Sequence, residues 1–186
     1  MMRTNIILLA LTVFLVSETF SQSKFNAGAS FNVGIPIGEF SDIAKTAIGG
    51  SINSEYVFSD KISATLAVYY YSYSSNIPTV AIDGSTYDFS VEAIPVILGL
   101  KYFLSKSFFG TFEAGAHIMR VKADVYLGDN LSTDFETKFG AGLGLGYRIQ
   151  LAEASLFELT GVYQYVQDDL SSISLRATIL VLLGNL

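Results

Sequence analysis

The chain of 186 residues has no cysteine, no tryptophan, three prolines and a single histidine, His117. Without cysteine it has no disulfide framework, no thiolate metal site and no sulfur redox chemistry. Without tryptophan, any aromatic belt must be made from its 11 tyrosines and 14 phenylalanines. Positive charge is also scarce: 11 Lys and Arg stand against 17 Asp and Glu, a formal net charge of −6, and there is no basic run. Such a chain suits a nucleic-acid backbone poorly, so nucleic acid is set aside as a partner. A lone histidine with only carboxylate neighbours makes no zinc site, and no metal or cofactor is expected. Long apolar runs are missing as well. Hydrophobic residues make up 51% of the chain, high for a surface that faces water, yet no interior run is long enough for a membrane helix.

The one solid apolar block is "IILLALTVFLV", Ile6 to Val16, preceded by Arg3 and followed by "SETFSQS". A basic start, a short apolar core and small residues make up the plan of a secretory signal peptide, and the core is too short to span a bilayer. The expected leader is 1–21, with cleavage after Ser21 or Ser23, and the mature domain is 22–186. Arg3 and Glu18 leave together, so the net charge survives cleavage.

The stretch "FGAGLGLGYRIQ", Phe139 to Gln150, puts glycine at every second position from 140 to 146. A dinucleotide-binding turn needs an interval of three before its last glycine, to carry the chain into a helix. A strict period of two belongs to a strand, with the glycines on one face and Phe139, Ala141, Leu143, Leu145, Tyr147 and Ile149 on the other. The same alternation recurs from Phe25 onward. Ile48, Ile52, Tyr56 and Phe58 oppose Gly49, Ser51, Asn53 and Glu55; Ile62, Leu66, Val68 and Tyr70 oppose Ser63, Thr65, Tyr69 and Tyr71. A fourth segment begins as Phe89, Val91, Ala93 and resumes as Val96, Leu98, Leu100, Tyr102. This change of parity predicts a β-bulge near Pro95, because proline cannot donate to a ladder. Four further segments continue to Leu183, making eight strands of bilayer-crossing length. Short connections at 59–61, 104–107 and 152–155 alternate with long ones at 36–46, 75–86 and 123–133. The fold expected is all-β, an eight-stranded antiparallel up-and-down transmembrane β-barrel with no linker or second domain.

Soluble eight-stranded barrels have an apolar lumen, and membrane barrels invert this. Glu55, Glu92, Glu113, Glu158, Lys101, Lys138, Arg148 and Arg176 fall on the face opposite the apolar one, as four acids and four bases. A paired interior is the expectation, since an unpaired charge shut away from water costs several kcal/mol. A soluble barrel would have to crowd Phe, Tyr, Leu and Ile from all eight strands into a lumen already small at that strand count. Hairpin arithmetic brings Glu113 near Lys101 and Glu158 near Arg148. The glycines of 140–146 then face inward and leave room for long neighbours such as Arg148, Glu158 and Lys138. Tyr56, Phe58, Tyr102, Phe108, Phe112, Tyr147 and Phe157 gather beside the short turns, as an interfacial girdle does.

With the segments "SFNVGIPIGEF", "VEAIPVILGLKYFL", "FFGTFEAGAHI" and "FGAGLGLGY", Phe25 to Leu186 resembles the small outer-membrane β-barrel domain family of bacteria. This is the eight-stranded set related in shape to the membrane domain of outer-membrane protein A. The resemblance implies residence in the outer membrane after export, with outer-membrane lipid, envelope chaperones and the barrel-assembly machinery as partners. Such barrels commonly end in an aromatic residue, whereas this chain ends "LLGNL".

The leading functional reading is a non-enzymatic barrel with a plugged polar interior and a structural or surface-interaction role. A narrow pore or a conduit for small apolar molecules is the alternative, with Tyr69, Tyr71 and Tyr73 as filling or as a small pocket. A lipid-modifying enzyme would use His117 with Glu113 as base and orienter, but the next residue on that face is Met119 where a nucleophile is needed. No catalytic residue is therefore assigned.

Overall fold

The computed structural model describes residues 25–76, 80–82, 85–125 and 131–183; the expected leader, 1–21, and its cleavage sites lie outside the described residues, as does the end of "LLGNL". Eight long strands form the wall: β1 (Phe25–Pro36), β2 (Ala44–Ser59), β3 (Ile62–Ser75), β5 (Ser85–Phe103), β6 (Phe108–Val125), β8 (Glu136–Ala152), β9 (Ser155–Val166) and β10 (Ser172–Leu182). Each pairs antiparallel with its sequence neighbours. β1 closes the circle on β10, from Asn26 opposite Leu182 to Pro36 opposite Ser172. Two short strands, β4 (Val80–Ile82) and β7 (Leu131–Ser132), pair with β5 and β6 in the loop regions. A single helical turn, α1 (Phe40–Ile43), follows β1 beyond Gly38, whose φ of +61° only glycine adopts freely.

Closure pairs every wall strand with a neighbour on both sides, the arrangement that lets strands cross hydrocarbon. The exterior is apolar on every strand: Ile52, Leu98, Leu143 and Phe139 are each more than 60% exposed. So continuous an apolar surface is incompatible with water and suits lipid. The seven aromatics of the expected girdle lie on outward positions, and Tyr56 and Phe58 meet edge to face at 4.9 Å. Among the described residues no helix is long and apolar enough to cross a membrane.

One expectation fails. β5 carries no bulge at Pro95: its register with β6 runs without a shift from Phe103 opposite Phe109 to Tyr87 opposite Val125. Against β3 the offset is the same on either side of the proline, at Val68 opposite Val96 and at Tyr71 opposite Ala93. Proline's missing N–H therefore interrupts the ladder without inserting a residue. As a result Val91 and Ala93 face the core, and Glu92 faces outward.

The inward glycines of β8 hold the wall close to what lies inside. A Cβ on Gly146 would stand 2.2 Å from the Phe109 ring, one on Gly144 2.7 Å from Val162, one on Gly142 3.1 Å from Gln164 and one on Gly140 2.9 Å from His117 Nε2. The room they leave is thus taken by these side chains and, at Gly140, Gly142 and Gly144, by the β9 carbonyls of Tyr165, Tyr163 and Gly161, not by Arg148, Glu158 and Lys138.

Candidate functional site: a charge-filled lumen

Alternation along the strands stacks the interior in layers. At the end beside the short turns, Phe103 from β5 and Phe109 from β6 meet with ring centroids 5.3 Å apart. Above them Arg148 from β8 lies 4.5 Å over the Phe103 ring, and Lys101 from β5 lies 4.9 Å over that of Phe109.

These two cations carry the next layer. Arg148 Nη2 donates to both oxygens of Glu55, at 2.7 and 2.6 Å, and Nε donates to Glu158 Oε1 at 2.7 Å. Lys101 Nζ donates to Glu158 Oε2 at 2.6 Å and stands 3.9 Å from Glu55. Ser63 donates to Glu55 at 2.6 Å and Asn26 at 3.2 Å. Glu55 is 1% exposed, so its charge depends on these donors rather than on water.

Higher in the lumen, Arg176 from β10 donates through Nη1 to both oxygens of Glu113 on β6, at 2.7 and 2.9 Å, and to the Tyr69 hydroxyl at 2.7 Å. Its Nε donates to Ser174, whose hydroxyl also pairs with that of Tyr71 at 2.7 Å. Tyr69, Tyr71 and Tyr73 then stack up β3 at spacings of 6.0 and 5.9 Å, and Phe40 of α1 tilts onto Tyr73 at 5.0 Å. A polar cavity of about 40 Å³ beside the ion pairs, lined in part by Thr111 and Arg176, is the size of a water or two. The space below Phe40 measures about 10 Å³.

Six of the eight residues singled out in the sequence thus meet in the lumen: Glu55, Lys101, Arg148 and Glu158 as one cluster, Glu113 and Arg176 as a pair. Three acids balance three bases. Lys101 does not meet Glu113, because Lys101 lies opposite Thr111 and Gly99 opposite Glu113; the turn sets the rungs two residues out of step. Lys138 shares the inward parity but sits at the rim, where it donates to Asp168 at 2.5 Å and lies 3.4 Å from Glu136. Asp168 and Asp169 hold left-handed φ values of 61° and 56° in the turn between β9 and β10, a conformation aspartate tolerates.

Glu92 does not belong to the interior. It lies opposite the outward Ser72, and it bonds to the Tyr70 hydroxyl, Arg120 and Lys122 on the outer surface. His117 is buried, and both oxygens of Glu113 accept from Arg176. Among the described residues no group of three or more His, Cys, Asp or Glu is placed to hold a metal. Sequence reasoning passed over Phe103 and Phe109 as the floor and Phe40 as the lid. The first two share the parity of Lys101 and Glu113 and were readable; Phe40 opens the single turn of α1, too short for a periodicity to speak.

The described chain matches known small barrels. Neisserial surface protein A aligns with a TM-score of 0.56 at 17% identity, over 84% of this chain and 96% of that one. Ail, the attachment invasion locus protein of Yersinia pestis, solved with the heparin analogue sucrose octasulfate, aligns at 0.57 and 14% identity over 86% and 96%. The N-terminal β-barrel domain of Pseudomonas aeruginosa OprF aligns at 0.51 and 13% identity over 86% and 98%. Curated protein sequences give no match. The family profile of the outer membrane protein beta-barrel domain matches residues 6–179, nearly the whole chain. With a closed eight-stranded wall, an apolar exterior and that match, the chain belongs to the outer membrane protein beta-barrel domain family.

Proposed function

We propose that this is a non-enzymatic barrel of the bacterial outer membrane that works through its wall and its surface loops, with a lumen closed to solutes. The filled interior carries this reading: among the described residues, floor, ion cluster, Arg176 pair, tyrosine stack and Phe40 occupy the lumen, with spaces of about 40 and 10 Å³ beside them. Two of the similar barrels are described as a surface protein and an attachment protein, which supports a role in surface interaction. Export on the leader 1–21, delivery by envelope chaperones and insertion by the barrel-assembly machinery belong to the same proposal. Reconstituted into planar bilayers, the mature chain is expected to give no discrete current steps. Steady steps in salt solution would replace this reading with the narrow pore.

Orientation follows from the unequal rims, with the longer connections outside the cell and the turns at 59–61, 104–107 and 152–155 in the periplasm. On intact cells an impermeant thiol reagent is expected to label Glu39→Cys and to spare Lys106→Cys, both exposed positions. The opposite labelling would invert the barrel.

A further inference from the structure

The outward side chains of β5 rise from Tyr102 through Leu98 and Val96 to Ile94, and then meet Glu92. The apolar band stops at a similar height on its neighbours. On β6 Ile118 gives way to Arg120 and Lys122, on β3 Val68 gives way to Tyr70 and Ser72, and on β8 Phe139 gives way to Thr137. Tyr102 to Glu92 is about ten residues, roughly 33 Å of strand, or about 25 Å along the axis at a tilt near 40°, which is the height of the apolar band in such barrels. Glu92, Arg120 and Lys122 therefore stand at the upper edge of the hydrocarbon, level with the headgroups of the outer leaflet.

Their arrangement is layered. Arg120 donates to Glu92 Oε2 through Nε at 2.8 Å, with Nη2 also at 2.8 Å; Lys122 Nζ and the Tyr70 hydroxyl each donate to Oε1 at 2.7 Å. The Phe135 ring lies 4.7 Å from the Arg120 guanidinium carbon. The Glu92 side chain is only 12% exposed beneath its bases, whereas the Arg120 and Lys122 side chains are 26% and 31% exposed. The acid thus fixes the two cations from below, and the surface they offer is positive. The bonds to Glu92 occupy Nε, one Nη2 proton and one Nζ proton, out of five guanidinium and three ammonium donors.

We propose that Arg120 and Lys122 bind the phosphate of an outer-leaflet lipid headgroup, with Glu92 and Phe135 holding the guanidinium in place. Charge and position select this occupant: a fixed cationic pair at the edge of the band meets an anion whose tail lies along Ile94 and Ile118. The inference rests on the proposed orientation, with the longer connections outside the cell, and does not depend on whether the lumen conducts.

The test uses the full mature barrel in phosphatidylcholine vesicles containing either phosphatidic acid or, matched in amount, diacylglycerol. Lipid that remains bound after mild detergent extraction is counted by native mass spectrometry. The wild type is expected to prefer phosphatidic acid by roughly twenty-five-fold, about fivefold from each base near an anionic surface. Arg120→Gln with Lys122→Gln brings the preference near one, while Lys106→Gln at a periplasmic turn leaves it unchanged. Folding is checked by mobility without boiling. If the double variant fails to fold, Lys122→Gln alone, which keeps the Arg120–Glu92 pair, is expected to lose about fivefold. A folded variant with unchanged preference overturns the proposal. So does a preference that disappears with a metal chelator, since a bridging cation would then be the bond.

Discussion

Replacing Arg148 with leucine is expected to destabilise the refolded barrel by about 3–5 kcal/mol, the range for removing one partner from a buried ion pair. Arg148 serves two carboxylates. Without it, Glu55 keeps only Ser63, Asn26 and a Lys101 ammonium 3.9 Å away, and Lys101 is already committed to Glu158. The cluster is then left with one negative charge too many. Glu158→Leu should cost less, because Arg148 keeps its bonds to both oxygens of Glu55, which is itself the better satisfied acid. The double change restores neutrality with Lys101 facing Glu55, so about half of the Arg148→Leu loss should return, read as coupling in a double-mutant cycle. Urea unfolding in lipid vesicles measures all three. A negligible effect of Arg148→Leu, in the 0–1 kcal/mol range of exposed pairs, would mean that these charges face water.

Gly28→Ala is expected to be more damaging, although it adds one methyl group. Its Cβ would lie 1.8 Å from the carbonyl oxygen of Ile179 and 2.9 Å from the Leu180 Cα, both backbone atoms of β10. No side chain can turn aside to make room, so β1 must move off β10 at the seam where the barrel closes. Overpacking alone costs about 1–3 kcal/mol, and each backbone group unpaired in hydrocarbon adds several more. A loss above about 4 kcal/mol follows, seen as a refolding reaction that yields little of the heat-modifiable form. Gly50→Ala is the control: on the next strand its Cβ meets only the Ser30 oxygen, at 3.4 Å, and the change should stay within about 0.5 kcal/mol. Equal refolding of the two variants would refute the close approach at the seam.

The wall was legible in the sequence because period two is unambiguous wherever one face is apolar and the other is not. Glu55, Glu113, Arg148, Glu158 and Arg176 declared their side in this way. Upper β5 did not: Val91, Ala93, Ile94 and Val96 make both faces apolar around Pro95, and Glu92 alone marked the outward parity. A proline that only skips a rung looks in sequence like one that inserts a residue. Partner choice inside the lumen was legible only for Arg148 and Glu158, which face each other across one hairpin. The reach of Arg148 to Glu55, or of Arg176 to Glu113, depends on the tilt and stagger of the closed wall, which no single strand encodes.

The ion pairs that cross the lumen have a consequence in time. Arg148 and Glu55 are 93 residues apart in sequence, Lys101 and Glu158 57, and Arg176 and Glu113 63. Contacts of such separation form only once the circle is nearly complete, after most of the chain entropy has been lost. They therefore act late, and what forms after the rate-limiting step governs how fast a structure is lost rather than how fast it is made. The lumen charges are a latch on escape from the folded state: weakening them shortens the lifetime of the inserted barrel while leaving its rate of insertion nearly unchanged.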